Sequence, residues 1–343
     1  MATNDAWLAL VQETVIEPDL AICDPHHHLW DRRTGTGRVE PRYLIDEVAA
    51  DTGSGHAVVS TVFIEATAMH RAGGPAEMKY VGEVEFANGI AAMAASGLYG
   101  SARIAAGIVG FADLASGSPV KAVLEAEMAA ARDRFRGIRC TGAWDPDPRI
   151  ARAPAPGLYM DPKFRAGLAE LAPLGLTFDL PCRYHQLPEV ADLARTFPGT
   201  TIILNHLGGV VGIGAYAGRR DEIFAAWRTG LADVAACPNV VVKLGGLGME
   251  YCGFGWHERA RPPTSLELAE ATRPYIETGI ELFGADRCMF ESNFPVDKVS
   301  SSYRVLWNSF KRITAGCSAG DKARLYHDTA VRVYRLGAPN ALA

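Results

Sequence analysis

Eight short runs rich in valine and isoleucine recur along this chain, at 20–24, 58–65, 103–110, 137–140, 176–180, 201–205, 240–244 and 288–291, and longer amphipathic, alanine-rich stretches separate them. Apolar runs of this length read as strands buried on both faces, the situation of a parallel sheet covered by helices. Helices are expected at 75–96, 119–134, 162–172, 187–196, 222–236 and 265–283. Pro75, Pro119 and Pro162 suit the first helical turn, where a missing N–H costs nothing, and Asp161 can cap the helix that starts at Pro162. Eight strand–helix alternations predict an α/β fold: a closed (β/α)8 TIM barrel, one domain with enlarged βα loops. A doubly wound open sheet would give the same local pattern, but no G-x-G-x-x-G follows the first run, which lowers the dinucleotide-binding version of it. The expected organisation is an N-terminal extension over 1–19, the barrel over 20–336 with a closing helix at 319–336, and a tail over 337–343.

With 343 residues, 48% hydrophobic and 21% charged, the chain has the apolar content for a large core. Its net charge of −5 and scattered basic residues give no footprint for nucleic acid or an acidic membrane surface. No apolar run approaches the ~20 residues that span a bilayer. The seven cysteines lack metal-finger spacing, and the first twenty residues carry Asp5, Glu13, Glu17 and Asp19 with no basic, apolar leader pattern. Reduced thiols in the cytoplasm and a small-molecule partner are therefore expected, with a homodimer left open.

In such a barrel the strand C-termini converge on one mouth, and there the polar residues become specific. In Asp24-Pro25-His26-His27-His28 the alternation of a strand puts His26 and His28 on one face, about 6–7 Å apart, a spacing that lets two imidazoles share a divalent ion. A hydrogen-bonded polar patch competes with that reading. The other strand ends contribute Glu65, Arg139, Arg183-Tyr184-His185, Asn205-His206, Lys243 and Glu291-Ser292-Asn293. Taken singly, each is more often a satisfied polar residue than a catalytic one; their convergence is the argument. The glycine-rich loop over 245–257 carries Tyr251, Phe254 and Trp256, which could wall an aromatic substrate or pack as a lid without touching one.

The ordered motifs Asp24-Pro25-His26-His27-His28-Leu29-Trp30-Asp31, Phe63-Ile64-Glu65-Ala66, Gly137-Ile138-Arg139, Asn205-His206-Leu207-Gly208-Gly209, Val242-Lys243-Leu244 and Glu291-Ser292-Asn293-Phe294-Pro295 resemble the amidohydrolase-2 family of metal-dependent barrel hydrolases. The likeness runs from Ile22 to Leu336 and is nearest the sugar-lactonase and pyrone-dicarboxylate lactonase branch. It implies that His26 and His28 are an H-x-H metal pair and that His206 is the histidine after the sixth strand. It further implies that Arg139 holds a substrate carboxylate or lactone oxygen, and that His185 is a further metal ligand. One departure matters: the family's eighth-strand motif usually holds an aspartate where this chain has Asn293, and an amide cannot act as general base. Glu291, on the same strand face, could supply the carboxylate, or could instead pair with Lys243 or an arginine.

The resulting expectation is a hydrolase that opens the ester bond of a small carboxylated lactone. His206, Glu291 and Asn293 would carry the chemistry, and Arg139, Arg183, Tyr184 and Trp256 would bind substrate. His26, His28 and His185 would hold one divalent metal, zinc first and manganese also open, or the site would work without metal. Glu291 or Asp24 would orient a ligand histidine. A metal-dependent, non-oxidative decarboxylase of an aromatic acid is the alternative, and an inactive ligand-binding relative the third reading.

Overall fold

The computed structural model describes residues 4–33 and 41–337. Its centre is a barrel of eight parallel strands in sequential order: β1 (Ile22–His27), β2 (Val58–Ile64), β3 (Arg103–Gly110), β4 (Phe135–Arg139), β5 (Thr177–Leu180), β6 (Ile202–Leu204), β7 (Val240–Leu244) and β8 (Cys288–Phe290). The expected (β/α)8 TIM barrel is what the chain adopts. Closure comes from the residues after β8: His27 bridges Phe294 in parallel, His28 N donates to Phe294 O at 2.8 Å, and Asn293 N donates to His26 O at 2.9 Å. β1 consequently extends through His27, so His26 lies within the strand rather than beyond it.

The helices Leu187–Thr196 and Ser265–Phe283 match the sequence reading residue for residue. Those expected from Pro75 and Pro119 begin as tight 3-10 turns and become α-helical at Val81 and Lys121. Asp161 caps as anticipated, its Oδ1 accepting from the Lys163 and Phe164 amides. The closing helix is broken into Ala319–Ala323, a π turn at Arg324–Asp328 and Thr329–Val333. Three helices were not anticipated, the short Asp5–Leu8 and the longer Ile45–Thr52 and Tyr303–Ile313. Residues 338–343, most of the expected tail, lie outside the described residues. Among the described residues no helix is long and apolar enough to cross a membrane.

The barrel interior is layered. Its lower layer is apolar: Cys23, Val62, Ile64, Val109, Ile203, Val241 and Met289 pack against Ala330, Val333, Tyr334 and Leu336 at the end of the chain. Two residues further along a strand the side chain returns to the same face, so Val241 leads to Lys243 and Met289 to Glu291. The next layer is therefore ionic. Tyr334 joins the two layers, because its hydroxyl lies 3.0 Å from both carboxylate oxygens of Asp179, whose Oδ1 is 2.7 Å from Lys243 Nζ. All three side chains are buried.

A buried carboxylate that loses a donor retains its desolvation cost, so Tyr334→Phe should destabilise the fold by about 1–3 kcal/mol although only one oxygen is removed. Urea or thermal denaturation measures this; a variant as stable as the parent would show that the hydroxyl is not needed to hold Asp179.

Candidate functional site

The site is built on the ends of β1, β6, β7 and β8. After β6 the chain turns sharply, with His206 and Leu207 at φ of 53° and 52°, left-handed values that non-glycine residues seldom adopt. Asn293, after β8, sits at φ 56°. Such conformations cost about 1–3 kcal/mol each and persist only where surroundings enforce them. Trp227 provides one constraint, donating from Nε1 to Leu207 O at 2.6 Å. Gly246 provides another: a Cβ there would fall 2.3 Å from His206 Nδ1, and its φ is +68°. The loop after β7 thus has to carry glycine at 246 for the histidine to occupy its place.

Glu291 is the centre of the constellation. Its Oε1 accepts from His206 Nδ1 at 2.7 Å and from the His206 amide at 3.2 Å. Its Oε2 lies 2.7 Å from His26 Nδ1, yet off the line of a hydrogen bond, and no hydrogen-bond partner reaches it. His26 Nδ1 is also 3.1 Å from Lys243 Nζ, and its Nε2 is 3.3 Å from Arg139 Nη1. Burial first, and then the positive charge of Lys243, drive the His26 pKa well below that of a free imidazole, so the ring is neutral at pH 7. His206, by contrast, opens onto the cavity.

His28 approaches from the other side, its ring centroid 4.9 Å from that of His26. The two imidazoles do share one face of β1, as strand alternation requires. His28 Nδ1 donates to Ile64 O at 2.8 Å, which leaves a lone pair on Nε2 of the neutral ring. That lone pair faces Asn293 Oδ1 at 3.3 Å, while Asn293 Nδ2 donates to Asp297 Oδ1 at 2.7 Å. Two acceptors cannot satisfy each other. Either a donor or cation sits between them, or Asp297 carries a proton and the amide is turned so that its NH2 meets His28. Burial pushes the Asp297 pKa up to about 7, with Gly248 N, 2.8 Å from Oδ2, partly offsetting it.

Asp24, read as a support for a histidine, instead ties the barrel shut. Its Oδ1 accepts from Ser292 N at 3.0 Å and from His26 N at 3.3 Å, and its Oδ2 accepts from Tyr303 at 3.0 Å.

Above these groups opens a cavity of about 310 Å³, lined by His28, Glu65, Arg139, His206, Tyr251 and Asn293, with Trp30, Arg33, Arg152 and Arg183 nearer its walls and rim. Arg139 is held by Glu65, through Nε to Oε1 at 2.6 Å and through Nη2 to the Glu65 carbonyl. Arg183 is buried in the wall, its guanidinium 4.3 Å from the Tyr251 ring centre.

Other sequence candidates lie elsewhere. His185 does not join the histidine cluster: the turn at Tyr184–Gln186 carries it toward Asp145, whose Oδ2 is 3.2 Å away and also accepts from Tyr216 at 2.6 Å. Tyr184 packs edge-on against Tyr216, away from the cavity. Trp256 stacks on Phe254 at 4.4 Å and is buried with Val11, Leu268 and Val305, so it supports the lid from behind while Tyr251 meets the cavity. Lys243 pairs with Asp179 rather than Glu291. Sequence reasoning missed Arg33, Arg152, Asp179 and Asp297.

Among the described residues, one group offers three candidate metal ligands within 4.8 Å of one another: His26, His206 and Glu291. Two imidazoles and a carboxylate with an unpartnered buried oxygen are a donor set that fits a divalent cation. The trio shares only His26 with the set read from sequence.

Residues 23–336 match the Amidohydrolase family model. The y4mH protein of Sinorhizobium fredii is 35% identical over 334 residues, covering 93% of this chain and 99% of that protein. An L-fucono-1,5-lactonase of Burkholderia multivorans is 29% identical over 180 residues, 52% of this chain and 58% of the lactonase. A crystal structure of an amidohydrolase from Burkholderia multivorans with bound zinc superposes with a TM-score of 0.72 at 25% identity, over 92% of this chain and all of that one. A family match of that extent, together with a full-length relative and the barrel-mouth histidines, establishes that the chain belongs to the amidohydrolase family of hydrolytic enzymes.

Proposed function

We propose that this enzyme hydrolyses the ester bond of a small carboxylated lactone. The observation that carries the reading is the His206–Glu291 pair. A carboxylate on Nδ1 fixes the imidazole tautomer, so that Nε2 offers its lone pair to the cavity, the arrangement a general base needs to take a proton from water. The attacking oxygen adds to the lactone carbonyl, negative charge develops on the carbonyl oxygen, and Arg139, which lines the cavity, supplies fixed positive charge to meet it. Returning the proton from His206 to the ring oxygen as the C–O bond breaks completes the opening and leaves a hydroxy acid. The lactonase relatives support a lactone as the substrate.

A single divalent ion, zinc or manganese, fits His26, His206 and Glu291; when bound it would polarise the carbonyl and lower the pKa of water, and with His206 among its ligands it would take over the water-activating role that His206 has in the ion's absence. Asn293 cannot take a proton in either circumstance. Its part is to hold His28, and we infer that in the resting enzyme Asp297 is protonated and donates to the amide oxygen, while the amide NH2 donates to His28 Nε2.

Three outcomes are expected. Assayed on a panel of lactones with a pH indicator, His206→Asn and Glu291→Gln should each lower kcat by about 10²–10⁴-fold with the fold retained. Unchanged turnover in both would remove them from the mechanism, and carbon dioxide release from a hydroxybenzoate would select decarboxylation instead. Elemental analysis of protein purified without chelator should find about one equivalent of metal, and His26→Asn should lose it. Finally, an acid whose folded pKa is raised gives the native state extra protons, so stability falls as pH climbs from the ordinary carboxylate range through about 7 for Asp297. Asp297→Asn, which mimics the protonated acid, should flatten the dependence of melting temperature on pH over that window. Only part of the slope should vanish, because Asp24 is pushed up to about 6 by burial and acts in the same direction. Parallel profiles for parent and variant would contradict the protonated state.

A further inference from the structure

Of the four arginines around the cavity, the two that sequence reasoning selected have every guanidinium nitrogen engaged by the protein. Every guanidinium nitrogen of Arg183 is engaged: Nε and Nη2 reach Ile150 O at 3.0 and 2.5 Å, and Nη1 reaches Cys182 O at 3.1 Å and the Tyr251 hydroxyl at 3.3 Å. Arg139 is equally committed, to Glu65 through Nε and Nη2 and toward His26 through Nη1. Arg33 and Arg152 differ. Arg33 donates through Nη1 to Ala66 O at 2.8 Å, and Arg152 through Nη1 to Ala151 O at 2.8 Å and Arg149 O at 3.3 Å. Among the described residues, nothing accepts from Nε or Nη2 of either one, and neither has a carboxylate within ion-pair distance.

Both are nonetheless positioned. The Arg33 guanidinium lies 4.4 Å from the Trp30 ring centre and that of Arg152 5.8 Å from the Tyr251 ring centre, so each rests on an aromatic wall of the same cavity. They come from loops after different strands, β1 and β4, which brings them to the cavity from separate positions on the rim. Burial lowers the pKa of both guanidinium groups; for Arg33 the charges of Glu65 and Glu83 offset this and those of Arg139 and Arg152 add to it, and for Arg152 Tyr251 and Glu250 offset it and Arg183 adds to it. Like charges gathered at one opening, with the Nε–Nη2 edge of each guanidinium unused, form a receptor for an anion, because that edge matches the two oxygens of a carboxylate.

We infer that Arg33 and Arg152 form the clamp that binds the carboxylate of the substrate, and that Arg139 and Arg183 build the pocket rather than recognise the anion. The role in catalysis rests on the lactone-hydrolase reading; the anion site itself does not. The clamp sets specificity by fixing the end of the substrate remote from the reacting carbonyl, so its loss weakens binding of anionic substrates without altering the chemical step.

Two measurements separate these claims. Glutarate, a dicarboxylate with no bond to hydrolyse, is titrated calorimetrically into the parent, Arg33→Gln, Arg152→Gln and His206→Asn. Each arginine variant should weaken binding by about tenfold or more, the cost of one charge-assisted contact, while His206→Asn binds like the parent. Glutarate binding that is unaffected by both arginine substitutions overturns the clamp. In the second measurement, a γ-lactone carboxylate and its methyl ester are compared as substrates: the arginine variants should raise KM for the acid about tenfold, with kcat and the ester nearly unchanged. Equal losses on acid and ester would mean a structural role and also overturn it. Arginine-dependent glutarate binding in a parent enzyme that opens no lactone would leave the clamp standing and defeat the lactonase reading alone.

Discussion

A carboxylate with no exposure to water has to be compensated where it stands, and Glu291 is such a group. Its two oxygens face different histidines, one from the end of β1 and one from the turn after β6, so a single residue just past β8 gathers three remote parts of the chain. The fold is arranged to permit this. The Gly245 and Gly246 pair clears the space that Glu291 and His206 fill, since Cβ atoms there would meet Glu291 Cγ at 2.5 Å and His206 Nδ1 at 2.3 Å. The left-handed backbone at His206 is the strain that brings its ring over the carboxylate.

Beneath that centre, the ionic layer is neutralised pairwise. Lys243 has Asp179, which is itself held by Tyr334 and by Asn205 Nδ2 at 2.9 Å. Removing either charge would leave the other buried and unpaired, which costs more than the pair gains. The ammonium also lies against His26, so the same pair that satisfies the barrel interior keeps the His26 ring neutral. Structure and site chemistry are therefore coupled through one lysine. The C-terminal segment takes part as well: by delivering the Tyr334 hydroxyl into the barrel, it connects the apolar plug to the polar floor.

Strand alternation carried much of this into the sequence. β7 and the helices Leu187–Thr196 and Ser265–Phe283 were readable to the residue, because continuous apolar runs and 3.6-residue periodicity are local properties. His26, His28, His206, Glu291 and Asn293 were legible as a group, since the end of a parallel strand in a barrel has only one mouth to face. What failed was whatever depends on a loop's path. His185 is one residue into a tight turn, and whether it faces the cavity or Asp145 is decided by Arg183, which is drawn to Ile150 O and commits the turn. Trp256 was misplaced for a similar reason: the glycine-rich loop doubles back, burying one aromatic and presenting another. Arg33 and Arg152 sit on irregular segments where no periodicity marks an inward face. Asp297 was missed because its approach to Asn293 depends on the tight, non-helical turn over 293–297, which no periodicity marks. The helix Tyr303–Ile313 had its capping serine, Ser302, in plain view and was overlooked between two stronger elements.

The distribution of charge explains why the cavity is more than a hole above a histidine cluster. Positive charge is matched at the floor, where Asp179 answers Lys243 and Glu65 answers Arg139. In the wall, the charge of the buried Arg183 is met by carbonyl oxygens and by the face and hydroxyl of Tyr251. At the rim, Arg33 and Arg152 rest on aromatic rings, and among the described residues no carboxylate is close enough to pair with either. The imbalance grows toward the opening, and a low-dielectric wall concentrates it, so the potential increasingly favours an anion as the groups that could screen it thin out. A neutral ligand would gain nothing from that gradient and would leave the rim charges repelling each other. An anionic one relieves the repulsion on entry and is oriented by it, with its uncharged end directed down toward His206.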